Sequence, residues 1–548
     1  MLRKQFALAA VLLLALGTSP ALAEEQRPNI IIILVDDMGF SDIGCYGSEI
    51  ETPNLDRLAQ NGLRFTQFYN AGRCCPTRAS LMTGLHPHQV GIGHMTEPPG
   101  QPLGFDGAYQ GYLNENCATL AEVLHSAGYH TLMTGKWHLG YHRPNTWPLQ
   151  RGFDRYYGCI SGACNYFRPE GARGITDGNE RVEVGQGFYS TEAFTDKGIQ
   201  FIKEAREQDD RPFFLYLAHN APHWPLNAKW LDYQKYKGKY TAGWEALMKS
   251  RLAKQQQLGL FPNEIVPAPH VGPKWSSLTD DKREDLDNIM AAYAGCIDAI
   301  DQNIGKLVRY LEQTEQLDNT AIFFLSDNGA CQEGGILGNG NEEMIRNPPA
   351  GTAGVRQGLA WANASNTPFR LYKHFVHEGG ASTPMIAHWP AGIPASIRGT
   401  FVRQFAYLPD FMPTCVELAG ATYPADVPPT VGDSFAGALR GGTEPIHAEP
   451  IYWEHEGNAA MRWGKWKLVR EYKKPWELFD IASDRTEMNN LVEVETTQRD
   501  RMIAMWESWA DEHHVAYPKA FNMYNYLNEK KRKARQAQQQ AEQTESGS

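Results

Sequence analysis

The stretch Asn29-Ile30-Ile31-Ile32-Ile33-Leu34-Val35-Asp36-Asp37 is an almost continuous apolar run that ends in two carboxylates. A β-branched run of this kind predicts a strand buried on both faces, as in a parallel sheet with helices on either side. In open α/β sheets, ligands bind at the carboxyl ends of the strands. Two carboxylates buried at that end are costly unless they bind a cation. A helix cap or a turn pair is the structural alternative for Asp36 and Asp37.

Similar apolar runs extend this sheet along the chain. Strands are predicted at residues 63–68, 131–133, 212–217, 320–325 and 384–389. Helices are predicted at residues 52–59, 120–128, 286–311 and 409–418. We expect an irregular polar insertion at 230–282 and a long loop at 330–368. Past residue 440, antiparallel strands at 461–469 and 476–480 and a helix at 496–512 predict a smaller α+β subdomain after the α/β domain.

The N-terminal residues 1–23 predict a secretory signal peptide. Arg3 and Lys4 form its basic end, and residues 7–16 form an apolar run too short for an ordinary membrane-spanning helix. A retained N-terminal anchor is the alternative. We therefore expect an exported protein, periplasmic or secreted. Its predicted parts are a main domain at 24–440, a C-terminal subdomain at 441–527 and a disordered tail at 528–548.

The composition is that of a globular protein and restricts the ligands that it can bind. Of 548 residues, 42% are hydrophobic and 21% are charged, and the formal net charge is −11. This balance argues against nucleic-acid binding, and any anion would need a local site. Among nine cysteines, Cys159 and Cys164 are close enough in sequence to pair after export, although spacing does not establish geometry. The odd number leaves an even set if chemistry consumes one cysteine.

A cysteine pair opens the stretch Cys74-Cys75-Pro76-Thr77-Arg78-Ala79-Ser80-Leu81-Met82-Thr83-Gly84. Pro76 suits the first turn of a helix, where its missing N–H costs nothing. The side chain of Cys74 would then lie at the positive end of that helix, where unpaired N–H groups favour an anion, and Arg78 would follow one turn later. Such a cysteine is placed to act on an anionic group. A buried thiol pair, or half of a disulfide, explains these residues equally well.

Further reactive side chains follow the predicted strands. They are Asp327 and Asn328 after 320–325, Lys136 and His138 after 131–133, His223 between two prolines, and Lys373. If the sheet is parallel, these side chains converge with Asp36, Asp37 and Arg78 at one edge. Oxygen ligands alone select Ca²⁺ or Mg²⁺ over zinc, and a cation among basic side chains is a receptor for a tetrahedral oxyanion. Solvated lysines and structural histidines are the alternatives.

Six blocks of the chain together resemble the type I sulfatases. They are most similar to the bacterial arylsulfatases, within the alkaline-phosphatase-like fold. The blocks are Val35-Asp36-Asp37-Met38-Gly39, Cys-x-Pro-x-Arg at Cys74 to Arg78, Gly135-Lys136-Trp137-His138, Ala221-Pro222-His223-Trp224-Pro225, Asp327-Asn328-Gly329, and Lys373 before Glu378-Gly379-Gly380. The Cys-x-Pro-x-Arg signature alone is short and only moderately specific, whereas six blocks in the family's order are very unlikely to occur by chance. The resemblance implies an enzyme that hydrolyses sulfate monoesters to an alcohol or phenol and inorganic sulfate.

The resemblance also implies the cofactors. The family converts its signature cysteine to formylglycine, an aldehyde that hydrates to a gem-diol and can expel sulfate by returning to the aldehyde. The register of Pro76 and Arg78 selects Cys74, so Cys75 should stay a thiol. Asp327 would also accept a proton as the diol attacks sulfur. The metal, Ca²⁺ with Mg²⁺ as the alternative, would be held by Asp36, Asp37, Asp327, Asn328 and the formylglycine at position 74.

The basic side chains have implied roles as well. Arg78 and Lys136 would hold the hydrated aldehyde. His223 and Lys373, together with Lys136, would contact the sulfate, and the first two would help to protonate the leaving alcohol. His138 would take the proton of the second hydroxyl group and so release sulfate. The implied partners are a small sulfate ester or a sulfated glycan and a formylglycine-generating maturation enzyme.

The substrate is less defined than the reaction. Trp137, Trp224 and Trp361 could stack on either an aryl ester or a sugar. Arg73 departs from the family pattern, since a small or apolar residue is more usual before the cysteine, and it could slow maturation or contact the substrate. The insertion at 230–282 and the loop at 330–368 are the expected specificity elements.

Two other functions are compatible with these residues. One is a phosphonate or phosphodiester hydrolase of the same superfamily, which relative turnover of matched sulfate and phosphonate esters would identify. The other is a non-catalytic sulfoglycan-binding protein, which would follow if Cys74 is never modified.

Overall fold

The computed structural model describes residues 27–516 except 101 and 103, and also residues 520–522, 525, 528, 529, 532 and 533. The predicted signal peptide at 1–23 lies outside the described residues, as does most of the predicted tail at 528–548. Within the described part of the chain, no helix is both long and apolar enough to cross a membrane.

The main sheet is mixed, with a parallel centre. Its strands are β1 (Asn29–Val35), β2 (Leu63–Tyr69), β3 (His130–Lys136), β4 (Arg155–Cys159), β5 (Ile175–Asp177), β6 (Glu180–Val182), β7 (Phe213–Ala218), β8 (Thr320–Ser326), β9 (Ser382–His388), β10 (Phe401–Val402) and β11 (Ala406–Tyr407). They lie in the order β10-β2-β9-β8-β1-β7-β3-β4-β5-β6, and β11 also pairs with β2. Strands β8, β1, β7, β3 and β4 run parallel, whereas β9 is antiparallel to its neighbours β8 and β2.

The strand β1 lies in the middle of this sheet and is buried on both faces, as predicted. It pairs in parallel with β7 on one side and with β8 on the other. Its side chains alternate between two separate hydrophobic cores, Ile31, Ile33 and Val35 facing one and Ile30, Ile32 and Leu34 facing the other. The continuous apolar run therefore reflects the burial of both faces.

Helices cover both faces of the sheet. They are α1 (Pro53–Gln60), α2 (Cys74–Thr83), α3 (Leu120–Ser126), α4 (Ser190–Gln208), α5 (Trp230–Tyr236), α6 (Gly243–Gln257), α7 (Asp280–Gln313), α8 (Glu342–Arg346), α9 (Gly358–Ser365), α10 (Glu378–Ala381), α11 (Phe411–Ala419), α12 (Ala436–Leu439) and α13 (Thr496–Glu512). Helices α1, α4, α5 and α7 pack on one face, and α2, α3 and α11 pack on the other. The predicted α/β class and its main helices are confirmed.

Two segments predicted to be irregular contain helices, so those two predictions are wrong. Residues 230–282 include α5 and α6, and residues 330–368 include α8 and α9. The buried face of α6 begins with Trp244, Leu247 and Met248 but continues with Arg251, whose guanidinium binds Asp42 and Glu49. Its apolar stripe is therefore too short to predict the whole helix. Helix α9 is buried nearly all round, which removes the polar half of the helical pattern.

A second, antiparallel sheet follows the main one. Its strands are β12 (Ile451–His455), β13 (Asn458–Trp463), β14 (Trp466–Arg470) and β15 (Glu477–Asp480), and α13 packs on it. The predicted change of architecture beyond residue 440 is therefore confirmed. The exact division between 24–440 and 441–527 stays a prediction.

A buried ion network joins the two sheets. The Oε1 atom of Glu378, in α10, lies 2.8 Å from the Nζ atom of Lys467, in β14. Glu378 Oε2 lies 2.8 Å from a guanidinium nitrogen of Arg485, and Lys467 Nζ lies 2.9 Å from Glu487 Oε1. Because Glu378 and Lys467 are fully buried, each charge depends on the others for compensation.

We expect Lys467→Met to destabilise the protein, because Glu378 and Glu487 would lose a buried cationic partner. Removing one partner of a buried ion pair costs roughly 3–5 kcal/mol, which would be measured as a lower free energy of unfolding in urea. Lys465→Met is the matched control, since Lys465 Nζ lies 2.8 Å from Asp480 but its side chain is 53% exposed. An exposed pair contributes about 0–1 kcal/mol. Equal losses in the two variants would contradict the role of the network.

Candidate active site

The carboxyl ends of three strands bring the predicted side chains together. Val35 at the end of β1 is paired with Ser326 at the end of β8, and the backbone N–H of Asp327 donates to the carbonyl of Val35 at 3.0 Å. Strand β3 ends at Lys136 on the same edge, beyond β7. This edge holds the buried side chains of Asp36, Asp37, Lys136, Asp327 and Asn328.

Two of the carboxylates are paired with buried cations. Lys136 Nζ lies 2.6 Å from Asp36 Oδ2, and Arg78 Nη2 lies 2.8 Å from Asp327 Oδ2. Burial raises the pKa of Asp36, and burial together with the charge of Asp36 raises the pKa of Asp327 to about 8. Full ionisation of both carboxyl groups therefore requires further positive charge at the strand ends.

Asp37 has a different set of partners. Lys373 Nζ lies 2.7 Å from its Oδ1 atom, and the amide of Asn328 donates to the same oxygen at 2.7 Å. His223 Nε2 lies 3.6 Å from Asp37 Oδ2. Although burial opposes ionisation, the charge of Lys373 and the hydrogen bonds from Lys373 and Asn328 hold the pKa of Asp37 well below its usual range. Asp37 also has a φ of 72°, a conformation that non-glycine residues adopt at a cost.

The oxygen atoms at the strand ends fit a hard cation. Asp36 Oδ1 and Asn328 Oδ1 are buried, and neither has a hydrogen-bond partner among the described residues. Buried acceptors are rarely left in this state, and a bound cation would satisfy both. With Asp37 and Asp327, the candidate ligands are all oxygen atoms, which suits Ca²⁺ or Mg²⁺.

Cys74 is the first residue of α2 and is buried at its N-terminus. A hydrogen bond with the Cys75 thiol lowers the pKa of Cys74 well below its usual range. Burial opposes this shift, whereas the charge of Lys136 supports it. Cys75 Sγ in turn lies 3.1 Å from His138 Nε2 and accepts a hydrogen bond from the backbone N–H of Thr96 at 3.4 Å. Cys75 therefore contacts a candidate catalytic group, which its sequence position did not indicate.

All nine cysteines are buried and free of disulfide bonds. Cys159 and Cys164, which spacing left as a candidate pair, contact each other through a hydrogen bond between their thiols. Cys74 and Cys75 are unbonded as well. For Cys74 and Cys75, the absence of a disulfide bond favours a role in a chemical site over the alternative that one of them forms half of a disulfide.

His138 and His223 line the same cavity as Cys74. Burial lowers the pKa of His138 to about 3 and that of His223 to about 4, so both imidazoles are neutral at neutral pH. His223 Nδ1 lies 2.7 Å from the carbonyl oxygen of Trp224, so it is the nitrogen that carries the proton. The Nε2 atom of His223 is thus left as an acceptor on the side of Asp37.

The cavity has a volume of about 130 Å³ and a charged outer lining. Arg73, Glu97, Arg173 and Glu333 contribute to it, and Arg73 Nη2 lies 3.4 Å from Glu333 Oε1. Arg173 also lines a second cavity, of about 400 Å³, which shares Pro98 and Pro99 with the first. The two cavities therefore adjoin.

The three tryptophans considered as stacking surfaces have different positions. Trp224 lines the cavity beside His223. Trp137 and Trp361 have 0% exposure and lie in the hydrophobic cores. The prediction that these two could stack on a substrate is wrong, because helices and strands cover them completely.

Residues 28–421 match the family described as sulfatase. The chain belongs to the sulfatase family. Residues 369–507 of this sulfatase also match the C-terminal region of N-sulphoglucosamine sulphohydrolase. The protein is an enzyme that hydrolyses sulfate esters, and the predicted family, fold and enzyme class are confirmed.

Individual relatives of this sulfatase match over most of their length. It is 35% identical over 527 residues to an uncharacterised sulfatase of Schizosaccharomyces pombe, covering 88% of this chain and 93% of that protein. It is 34% identical over 434 residues to an arylsulfatase of Klebsiella aerogenes, covering 76% of this chain and 91% of that enzyme. The crystal structure of Ps i-CgsB in complex with k-i-k-neocarrahexaose matches with a TM-score of 0.68 at 28% identity, covering 92% and 97% of the two chains.

Gly162 is a further site residue that sequence reasoning missed. A Cβ atom at this position would lie 2.2 Å from His138 Nε2, which is closer than unbonded atoms can approach. The absence of a side chain at Gly162 therefore lets the imidazole reach Cys75. A lone glycine in a predicted loop carries no indication of such a contact, because the contact depends on two separate strand ends.

We expect Gly162→Ala to impair turnover of a sulfate ester, because the added methyl group must displace the His138 ring. A displacement of about 1 Å from productive geometry can cost roughly 100-fold in rate, so kcat should fall by about 10- to 100-fold. Gly185→Ala is the control, since its added Cβ would meet no atom within 4 Å. Wild-type kcat in Gly162→Ala would contradict the importance of this contact.

Proposed function

We propose that this sulfatase cleaves sulfate monoesters with a formylglycine made from Cys74. The observation that carries the proposal is the position of Cys74 at the N-terminus of α2, in one cavity with His138, His223 and Lys373. We also propose that Asp36, Asp37, Asp327, Asn328 and residue 74 hold a divalent cation, with Ca²⁺ expected and Mg²⁺ as the alternative. The buried, unpartnered Oδ1 atoms of Asp36 and Asn328 support this part of the proposal.

Formylglycine supplies a hydrated aldehyde, which is a nucleophile for sulfur and can release sulfate by returning to the aldehyde. The chain orients and deprotonates it. Lys136 and Arg78 are buried cations at the strand ends, and Arg78 donates to the carbonyl of Lys136 at 2.9 Å, so the two act as one rigid donor pair. Asp327 accepts a proton during attack, a role suited to a carboxyl group whose pKa is raised to about 8.

Two side chains, Lys373 and His223, lie where they can act on the leaving alcohol. Although burial opposes its charge, Asp37 holds the pKa of Lys373 well above its usual range, so the ammonium stays protonated and can bind a sulfate oxygen. The Nε2 atom of His223 faces Asp37, beside Lys373, because Nδ1 is hydrogen-bonded to the carbonyl of Trp224. The Lys373 ammonium stabilises the leaving oxygen and can protonate it, whereas His223 can donate a proton only after its Nε2 atom has gained one, which a bound sulfate ester would favour.

His138 acts as the base that assists the release of sulfate. Its imidazole is neutral at neutral pH because burial lowers its pKa to about 3, so it can accept a proton from the second hydroxyl group. The Cys75 thiol lies 3.1 Å from His138 Nε2 and holds the ring on the side of residue 74.

The identity of the nucleophile can be tested directly. We expect Cys74→Ala to abolish turnover and to leave the fold intact, because only one small buried side chain is lost. Cys74→Ser, if it reacts at all, should stop as a sulfated enzyme, since a simple alcohol has no second hydroxyl group. Mass spectrometry of the wild-type peptide should find an aldehyde at Cys74 and a thiol at Cys75.

Cys415→Ala is a suitable control for these variants, because Cys415 is buried in α11, away from the cavity. It should retain turnover. Wild-type-like turnover in Cys74→Ala would overturn the proposed mechanism. An unmodified thiol at position 74 would instead favour a sulfoglycan-binding protein.

We infer that the natural substrate is a sulfated carbohydrate. The charged and polar lining around Trp224 suits a sugar with several hydrogen-bonding groups, and the adjoining cavities leave room beyond one ring. The complex of Ps i-CgsB with a hexaose supports the inference, because that structure matches nearly the whole chain.

Two further proposals concern the export of the protein and the maturation of Cys74. The composition of residues 1–23 supports export to the periplasm or the medium, with 24–440 and 441–527 as the two folded parts. A formylglycine-generating maturation enzyme is the partner that Cys74 requires.

The sugar hypothesis predicts a selective effect of Arg173→Ala. Because Arg173 lines both cavities, its loss should lower kcat/KM for a sulfated oligosaccharide by roughly 10-fold, equivalent to about one charge-assisted hydrogen bond. The kcat/KM value for a small aryl sulfate should change little. Lys203→Ala is the charge-matched control, since Lys203 is 67% exposed on α4 and lines a different cavity, beside Asn29. Equal losses on both substrates would contradict the hypothesis.

A further inference from the structure

A second group of candidate metal ligands lies between the two sheets. We call it the histidine cluster, and it consists of His94, His374, His455 and Glu456. His94 precedes α3 in the chain, His374 follows Lys373, and His455 and Glu456 lie at the end of β12. His94, His455 and Glu456 each offer one ligand atom, and these atoms all lie within 4.8 Å of one another.

Glu456 is the centre of the cluster. Its Oε1 atom lies 2.5 Å from His94 Nε2, and its Oε2 atom lies 3.2 Å from His374 Nδ1. His455 Nε2 lies 4.0 Å from Glu456 Oε1, and the rings of His94 and His455 are stacked with centroids 5.3 Å apart. Three imidazoles from three separate segments therefore surround one carboxylate.

His455 is the member that hydrogen bonding does not explain. It has 0% exposure, and neither of its ring nitrogens has a hydrogen-bond partner among the described residues. A buried imidazole without a partner is costly, and such groups in native structures usually mark a bound ion or water. The nitrogen that faces Glu456 is in position to bind an ion shared with that carboxylate.

The backbone conformation at Glu456 is strained, because its φ angle is positive. Glu456 and Gly457 form the turn between β12 and β13, and their φ angles are 51° and 83°. Turns of this kind favour Asn, Asp or Gly, since other residues are strained at positive φ. A glutamate at this position directs its carboxylate towards His94 and His374.

We propose that the histidine cluster is a structural zinc site, separate from the oxygen-rich site at the strand ends. Imidazole nitrogen with carboxylate oxygen is a ligand set typical of zinc, whereas Ca²⁺ and Mg²⁺ take oxygen. His94, His455 and Glu456 would supply three ligands, and His374, whose Nδ1 atom lies 3.2 Å from Glu456 Oε2, is the candidate for the fourth position of a tetrahedral shell. The burial of His94, His455 and Glu456 fits a closed site without an open catalytic position.

The site would connect the second sheet to the walls of the substrate cavity. His94 is adjacent in sequence to Met95, and His374 is adjacent to Lys373, and both neighbours line that cavity. A zinc ion would hold these two segments against the turn at Glu456. It would therefore stabilise the cavity without contacting the substrate.

The test is a zinc titration of the full-length protein, with saturating Ca²⁺ to occupy the other site. The wild type should retain one zinc ion after dialysis, measured by elemental mass spectrometry, and its melting temperature should rise with zinc. His455→Gln should bind zinc at least ~100-fold more weakly, because a ligand is lost. His88→Gln is the matched control.

His88 comes from the same loop as His94, and its Nε2 atom lies 2.9 Å from Glu454 of the same strand as His455. That pair belongs to no candidate metal group among the described residues, so His88→Gln should keep its zinc. Cys75→Ser should keep it as well. Loss of zinc in Cys75→Ser but not in His455→Gln would overturn the proposal, since it would place the ion at Cys74, Cys75 and His138.

X-ray absorption of zinc in the wild type decides the matter even if His455→Gln fails to fold. The expected spectrum has only nitrogen and oxygen ligands, at roughly 2.0 Å. A sulfur ligand, or the absence of tightly bound zinc in the wild type, would reject the site.

Discussion

The parallel pairing of β1 with β8 is the constraint on which the rest of the structure depends. It places the carboxylates that follow Val35 and Ser326 side by side at a buried edge of the sheet. Buried carboxylates at this density are stable only beside matching positive charge. Lys136, Arg78 and Lys373 supply part of that charge. The same buried cations are the groups that we propose to bind the hydrated aldehyde and the sulfate ester.

The second sheet supports the site from outside the strand ends. Lys373 and Glu378 lie on one short segment, where the first contacts Asp37 and the second contacts Lys467 of β14. A displacement of β14 would therefore be transmitted to a group that faces the substrate cavity. The antiparallel sheet thus helps to position Lys373, which we propose to bind sulfate, although none of the ligands proposed at the strand ends belongs to it.

Burial divides the titratable groups of the site into two kinds. His138 and His223 stay neutral because burial, together with the neighbouring cation Lys136, lowers their pKa values, so they can accept protons. Lys373 stays charged because Asp37 opposes its desolvation at short range. The same buried environment therefore provides both bases and a permanent cation. Lys373 differs from His223 in its higher intrinsic pKa and in its shorter distance to Asp37, 2.7 Å against 3.6 Å.

The sequence by itself determined the buried strand β1, six of the thirteen described α-helices and the family, and it predicts Cys74 over Cys75 as the modified residue, because each depends on local pattern or register. Tertiary structure alone decided helix α6 within 230–282, since the buried Arg251 on this helix is paired with Asp42, far away in the chain. It also decided the contact of Cys75 with His138 and the clustering of histidines around Glu456. These features join segments that are distant in sequence, so no periodicity or spacing predicts them.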